Sequence, residues 1–476
     1  MSYKTIIGLE IHVELATKTK MFCSCVNAFG GEANTHCCPV CIGLPGALPV
    51  INKTAVEYAI KAGIAFNSKI TTKTRMDRKN YFYSDLVKGY QISQDDLPLC
   101  DGGYIEIELE NETKKIGLQR IHIEEDTGKQ IHTVEGDTLI DYNRSGVPLI
   151  EIVTKPHMNT PEEARLFLEK LRAILKYIEV SDCKMEEGSL RCDVNINVVD
   201  NETGAKTNIT EVKNLNSFRG AVKAMEYEEQ RHIALLKEGK NTVRETRRWD
   251  DAKNETITMR GKGGVADYRF APDGDIAPIE INHEWIEEIK NNLPELPHDK
   301  KERFIKDYDL SEYDAGVLTA SKELAFFFEE TIKYINDSKL VSNWIMGDVL
   351  RRLKDEEVEI QDTTLTPKSL AQLITIVKDG KINNNTGKKV LKEIFDTGKD
   401  PEIIVKEQGL IQISDEGALK EIVAKVLDEN EQSIIDYKNG KDRAIGFLVG
   451  QIMKASKGKA NPQIVNKMVI DMINER

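Results

Sequence analysis

The stretch Gly8-Leu9-Glu10-Ile11-His12-Val13-Glu14-Leu15 constrains this chain more than any other. Apolar residues at Ile7, Leu9, Ile11, Val13 and Leu15 alternate with Gly8, Glu10, His12 and Glu14, the period-2 pattern of a strand with one buried face. The opposite face therefore carries two carboxylates and an imidazole. Glu10 and His12 would sit about 7 Å apart along that face, near enough to share one hard cation with help from elsewhere. A plain solvated face satisfies the same pattern.

Two later strands carry acids where apolar residues are expected. In Ile121-His122-Ile123-Glu124-Glu125, Glu125 shares a face with Ile121 and Ile123, and a carboxylate turned toward a core needs a cation or donors to meet it. Glu151 lies inside the apolar run Val147-Pro148-Leu149-Ile150-Glu151-Ile152-Val153. Glu10, His12, Glu125 and Glu151 together predict an oxygen-rich site suited to Mg²⁺, which takes carboxylates, waters and phosphates. Such a cation draws charge off ATP during phosphoryl transfer.

Asp193, Asn195 and Asn197 line one face of a further strand, while Glu211 to Ser217 and Glu245 to Asp250 add cations and amides. Asp193, Glu211 and Lys213 are thus candidate ATP or substrate ligands, although exposed turns at 211–217 and 245–250 fit equally. No GxxxxGK[ST] loop occurs, so ATP would be held by metal and side chains. Gly261-Lys262-Gly263-Gly264 offers only a flexible run.

Five of the eight cysteines fall within residues 23–41, and such crowding in a reducing compartment points to a metal rather than disulfides. Cys23, Cys25, Cys38 and Cys41 are the natural tetrahedral Zn²⁺ set; Cys37 is spare and His36 can replace one ligand. A closed four-cysteine centre is structural. Arg75 to Tyr83 and Lys88 to Gln94 interleave cations with rings, which suits phosphates and bases and makes Lys79, Tyr81 and Tyr83 candidate ATP or substrate ligands. A loop whose rings simply pack fits equally.

A net charge of −13 over 476 residues argues against a generic nucleic-acid coat, so any RNA contact is local. The tail supplies one: Lys438, Lys441, Arg443, Lys454, Lys457 and Lys459 face a single acid, Asp442. Arg443, Lys454, Lys457 and Lys459 are candidate RNA-phosphate ligands, although a solvated helix end reads the same way. The N-terminus lacks a signal peptide's apolar segment and no run is long enough to span a membrane, which predicts the cytoplasm. Thr160-Pro161-Glu162-Glu163 predicts a helix start with a capping box. Leu293 to Asp299 is a proline-punctuated break where alternation gives way to helical periodicity.

Gly8 to Leu15, Asp77 to Tyr83, Lys184 to Asp193, Glu211 to Phe218 and Gly446 to Pro462 closely resemble the B subunits of the aspartyl/glutamyl-tRNA amidotransferases, nearly end to end. The resemblance implies an α+β fold: a cradle-like catalytic domain resembling glutamine synthetase at 1–293, an all-helical domain at 294–406 and a small helical tRNA-binding tail at 407–476. It implies ATP and Mg²⁺, a zinc knuckle on the four named cysteines, an ammonia-releasing amidase-type A subunit, a small C subunit and misacylated tRNA. It puts Glu10, His12, Glu125 and Glu151 at the metal and transfer site, where the side-chain carboxylate of Glu-tRNA(Gln) or Asp-tRNA(Asn) would be phosphorylated and then amidated. Asp267 to Asp275 departs from the family pattern, which has a second aromatic after the arginine and a Pro-Glu-Pro. The competing expectation is a non-catalytic, zinc-containing tRNA-binding subunit.

Overall fold

Strand β1, Tyr3–Glu14, follows the alternation directly: Ile7, Leu9, Ile11 and Val13 are buried and the side chains between them are half-exposed. The computed structural model describes residues 2–261, 267–411, 416–438, 441, 443–456, 460 and 462–475. Lys262 to Gly264, Asp442, Lys457 and Lys459 lie outside the described residues. The chain divides into two compact units, Met1–Leu296 and Pro297–Arg476.

In the first unit the principal strands after β1 are β2 (Asp77–Asn80), β3 (Tyr90–Ser93), β4 (Thr113–Glu125), β5 (Pro148–Thr154), β6 (Leu190–Asp200), β7 (Thr210–Leu215), β8 (Glu245–Asp250) and β9 (Glu255–Gly261). Seven of these nine join a ten-stranded sheet in the order β9, β8, β7, β6, β1, β5, β4, continued by short strands at Cys100–Asp101 and Lys69–Ile70. Pairing along this path is antiparallel except between β7 and β8. β2 and β3 pair in a separate small sheet.

Helices α1 (Lys53–Ala65), α2 (Pro161–Tyr177) and α3 (Phe218–Lys237) pack with the apolar face into one core. α2 begins as its sequence requires, with Thr160 Oγ1 accepting from the Glu163 N–H at 3.1 Å and Pro161 in the first turn. The Glu163 carboxylate reaches one residue further back than a capping box does, to the Asn159 N–H at 2.7 Å, and also accepts from Lys114. The α2 stripe at helical spacing, Ala164, Phe167, Leu168, Leu171, Ile174, Leu175 and Ile178, is buried. Truncating Phe167 or Leu171 to Ala would cost about 3 kcal/mol or more.

With one face of the sheet closed by helices, the other is free to carry polar groups from several strands. Register aligns them: His12 lies opposite Glu151 and Arg191, Glu10 opposite Asp193, Glu151 opposite His122, and Asn195 opposite Glu211.

The second unit is helical in its described residues, with one hydrophobic cluster running from Phe304 to Val405 and another from Leu419 to Ile473. Thr366 caps the helix Pro367–Lys378 through a capping box with Ser369. No helix among the described residues is long and apolar enough to cross a membrane. The architecture is therefore mixed α+β, with a sheet-rich N-terminal region and a helical C-terminal one.

Candidate active site

The polar face is densest where β1, β5 and β4 lie side by side. His12, Glu124 and Glu151 each offer a ligand atom within 4.8 Å of the others. His12 Nε2 is 3.5 Å from Glu151 Oε2 and 3.7 Å from Glu124 Oε1, and His122 Nε2 is 3.3 Å from Glu151 Oε2 and 3.6 Å from Glu124 Oε2. Ser93 on β3 donates to Glu124 Oε2 at 3.0 Å. Burial opposes a charged imidazole, but the Glu151 hydrogen bond, its charge and that of Glu124 outweigh it and raise the His12 pKa. At His122 the same contest, against Glu151 and Glu124, ends at about 9. Burial likewise disfavours the Glu151 carboxylate, yet the two imidazoles hold it well below the ordinary carboxyl range.

A second group lies on the β6 side of β1. Glu10, Asp193 and Glu211 bring three carboxylates within 4.8 Å of one another. Lys213 Nζ is 2.6 Å from Asp193 Oδ2 and 3.2 Å from Glu211 Oε1, and Asn195 Nδ2 donates to Glu10 Oε1 at 2.9 Å. Burial first, then the nearby Glu151 charge, raises the Glu10 pKa. A cleft of about 320 Å³ opens beside the group, lined by Gly8, Asn195, Asn197, Ile209 and Arg244 among others. Two adjoining sets of carboxylates and imidazole can hold divalent ions, and such ions in turn bind polyphosphates.

Glu125 does not join Glu10, His12 and Glu151, contrary to the sequence expectation. Adjacent residues on a strand face opposite sides, so Glu125 follows Ile121 and Ile123 away from the polar face. There its Oε1 takes Lys88 Nζ at 2.5 Å and the Ile92 N–H at 3.0 Å. The partner that its burial demanded is an ammonium and a backbone donor. Glu124 occupies the position expected of Glu125. The signal was present: His122 and Glu124 alternate with Ile121 and Ile123 in the same phase as Glu10 and His12 on β1. Further along the same side, Arg191 and Arg144 both reach Asp126, at 2.6 and 3.5 Å.

The aromatic-basic loop is partly packed and partly open. Lys79 Nζ lies 5.0 Å from the Tyr268 ring centroid, and Tyr268 stands edge-on to both Tyr81 and Phe270. Burial, with Asp85 and Glu124 nearby, pushes the Tyr81 phenol pKa up, whereas Tyr83 is exposed. The segment Asp267 to Asp275 is anchored here. Asn80 bonds the Tyr268 and Arg269 carbonyls, and Arg78 donates to Asp273 and Asp275 at 2.8 and 2.9 Å.

The Sγ atoms of Cys23, Cys25, Cys38 and Cys41 lie within 4.8 Å of one another, with Cys25 and Cys41 3.9 Å apart. Ligands around tetrahedral zinc at 2.3 Å stand about 3.8 Å apart, so the thiols fit that ion. The Cys41 thiol is drawn down to about 4 by its hydrogen bond with Cys23, against burial, with help from the Cys38 N–H and Lys20. Cys37 falls outside the group with its Sγ 3.8 Å from Asn143 Oδ1, and the His36 ring packs on Gly31. In the tail, Arg443 and Lys454 are exposed on the helix Arg443–Ala455.

Comparison with known proteins gives a consistent result. Residues 5–287 match the GatB/GatE catalytic domain family and residues 326–473 the GatB domain family. The chain is similar to the B subunit of the aspartyl/glutamyl-tRNA(Asn/Gln) amidotransferase from Clostridium tetani, at 55% identity covering all of both chains. It is 56% identical to the B subunit of the same name from Caldicellulosiruptor bescii, over 98% of each chain. The first of the numbered B subunits from Clostridium acetobutylicum is 56% identical over the full length of both.

Proposed function

The chain belongs to the family of aspartyl/glutamyl-tRNA(Asn/Gln) amidotransferase B subunits, and from that premise we propose that its polar sheet face is where a tRNA-borne carboxylate is activated by ATP and amidated. The observation that carries this reading is the meeting of two metal-competent groups, His12 with Glu124 and Glu151 and Glu10 with Asp193 and Glu211, on adjoining strands. A free carboxylate is a poor acyl donor because hydroxide leaves badly. Transfer of the γ-phosphoryl group of ATP to it gives an acyl phosphate and ADP; attack by ammonia then expels inorganic phosphate and leaves the amide.

Mg²⁺ bound between these carboxylates would spread charge off the phosphates. The donor set fits: oxygen ligands predominate, as that ion prefers. Lys213 is placed to neutralise phosphate oxygens when they displace it from Asp193, and Asn195 orients Glu10. Lys79, Tyr81 and Tyr83 form one wall for the substrate. Glu125 belongs with Lys88 outside this set.

The rest of the reading follows the family. The enzyme is an ATP-dependent carbon-nitrogen ligase with glutamine as amido donor, working in the cytoplasm on Glu-tRNA(Gln), Asp-tRNA(Asn) or both. An amidase-type A subunit supplies ammonia and a small C subunit completes the assembly. Residues 1–293 form a glutamine synthetase-like cradle, 294–406 a helical domain and 407–476 a tail in which Arg443 and Lys454, with Lys457 and Lys459, meet tRNA phosphates. Cys23, Cys25, Cys38 and Cys41 hold a structural zinc ion.

The test is ADP formation by the assembled complex with and without misacylated tRNA. Glu151→Gln is expected to abolish tRNA-dependent ADP and amide formation while tRNA binding persists. An ATPase indifferent to misacylated tRNA, or unchanged amidation in the variant, overturns the proposal.

A further inference from the structure

Lys20 is fully buried. Its Nζ lies 3.3 Å from the Tyr142 carbonyl oxygen and 3.7 Å from Cys41 Sγ. Among the described residues no carboxylate lies within ion-pair distance of it. A buried ammonium is costly unless a counter-charge meets it, and the anion on hand is sulfur. Four thiolates around one divalent ion leave two negative charges unbalanced. Each problem answers the other.

The local chain holds this arrangement in place. The Lys20 N–H donates to the Cys25 carbonyl at 3.0 Å, tying the lysine's backbone to the first cysteine pair. Ser145 Oγ donates to the Cys41 carbonyl at 2.9 Å, tying the Tyr142–Gly146 turn to the second. Gly146, at φ +84°, lies against both side chains: a Cβ there would stand 3.4 Å from Cys41 Cβ and 3.6 Å from Lys20 Cδ.

We infer that Lys20 is the positioning residue of the four-cysteine centre, its buried ammonium offsetting the excess negative charge of the metal-bound thiolates and fixing Cys41 through an N–H···S contact. The inference rests on the reading of this centre as a zinc site. Groups just outside a metal's ligands commonly govern how firmly the ion is held. Lys20 would thus keep the centre closed and its sulfurs unreactive without touching the ion.

The test uses the full-length chain loaded with zinc, as parent, Lys20→Met and Lys20→Arg. Metal content is measured first, then the rate at which a chromophoric chelator removes zinc, with circular dichroism to confirm folding. Lys20→Met, nearly the same shape without the charge, is expected to lose zinc about ten- to a hundredfold faster, and Lys20→Arg to stay within about threefold of the parent. A folded Lys20→Met that releases zinc at the parent rate overturns the role of Lys20 and leaves the zinc reading standing. A parent that takes up no zinc overturns the zinc reading, and this inference with it. Should Lys20→Met not fold, Lys20→Arg decides: zinc retention supports the inference, and release as fast as from Cys41→Ser overturns it.

Discussion

Glu124 and Glu125 are neighbours in sequence and face opposite sides of β4, so substitutions at the two positions separate two effects. Glu124→Gln removes a carboxylate from the group around His12 and Glu151; tRNA-dependent ADP formation by the folded complex should fall about a hundredfold, a loss of activity beyond the lower urea midpoint that follows from breaking its buried pairs with the two imidazoles. Glu125→Ala strips the partner from the half-buried Lys88 ammonium and the buried Ile92 N–H. That should cost about 3 kcal/mol of stability, read as a lower urea midpoint. The alternation rule assigned Glu125 to the apolar side of its strand, and the structure agrees. What the sequence did not disclose is which neighbour would answer its charge: Lys88 lies on a different segment, and only tertiary folding brings it there. The cysteines were more legible, because metal-ligand spacing is written locally.

Between elements, α3 is joined to the sheet by a buried charge network rather than by apolar packing alone. Glu228 is fully buried, with Arg231 at 2.6 Å, His232 and Arg247 each at 3.2 Å, and Thr256 also donating to it. Burial opposes its carboxylate, but the His232 and Arg231 hydrogen bonds outweigh that and hold the pKa at about 2, against an ordinary 4.5. The folded-state pKa is the lower one, so this stabilisation is complete above about pH 4.5 and is lost as pH falls through 2, at a scale of about 3 kcal/mol. Glu228→Gln should therefore flatten the acid limb of stability against pH, measured by urea titration between those limits. On the other side of the core, Gly63 in α1 has no room for a methyl group: a Cβ would stand 2.5 Å from Cys100 Sγ and 2.8 Å from Ile70 Cδ1. Gly63→Ala should destabilise by about 1–3 kcal/mol, seen as a lower melting temperature. The type of α2 and of β1 followed from periodicity, whereas this network did not, since Glu228, Thr256 and Arg247 show no shared pattern until α3 docks.

Over the whole molecule, charge is unevenly assigned to tasks. A chain of net charge −13 can meet tRNA, as proposed, only with local cations, and Arg443 and Lys454 are exposed on one tail helix. Replacing both with Ala should weaken tRNA binding and reduce the slope of log affinity against log salt by about 2, measured by filter binding at several salt concentrations. The two compact units divide at Leu296 and Pro297; the change from alternating to helical periodicity near residue 293 was itself legible. The sheet order was not, because strands adjacent in space are far apart in sequence. That separation governs how the protein comes into being. β1 is synthesised well before its two partners, residues 148–154 and 190–200. Until those are synthesised, the strand bearing Glu10 and His12 has both edges unsatisfied. Such long-range pairing is slow and exposes a nascent chain to aggregation, so the polar face around Glu10 and His12 can assemble only late, after most of the first unit has been translated.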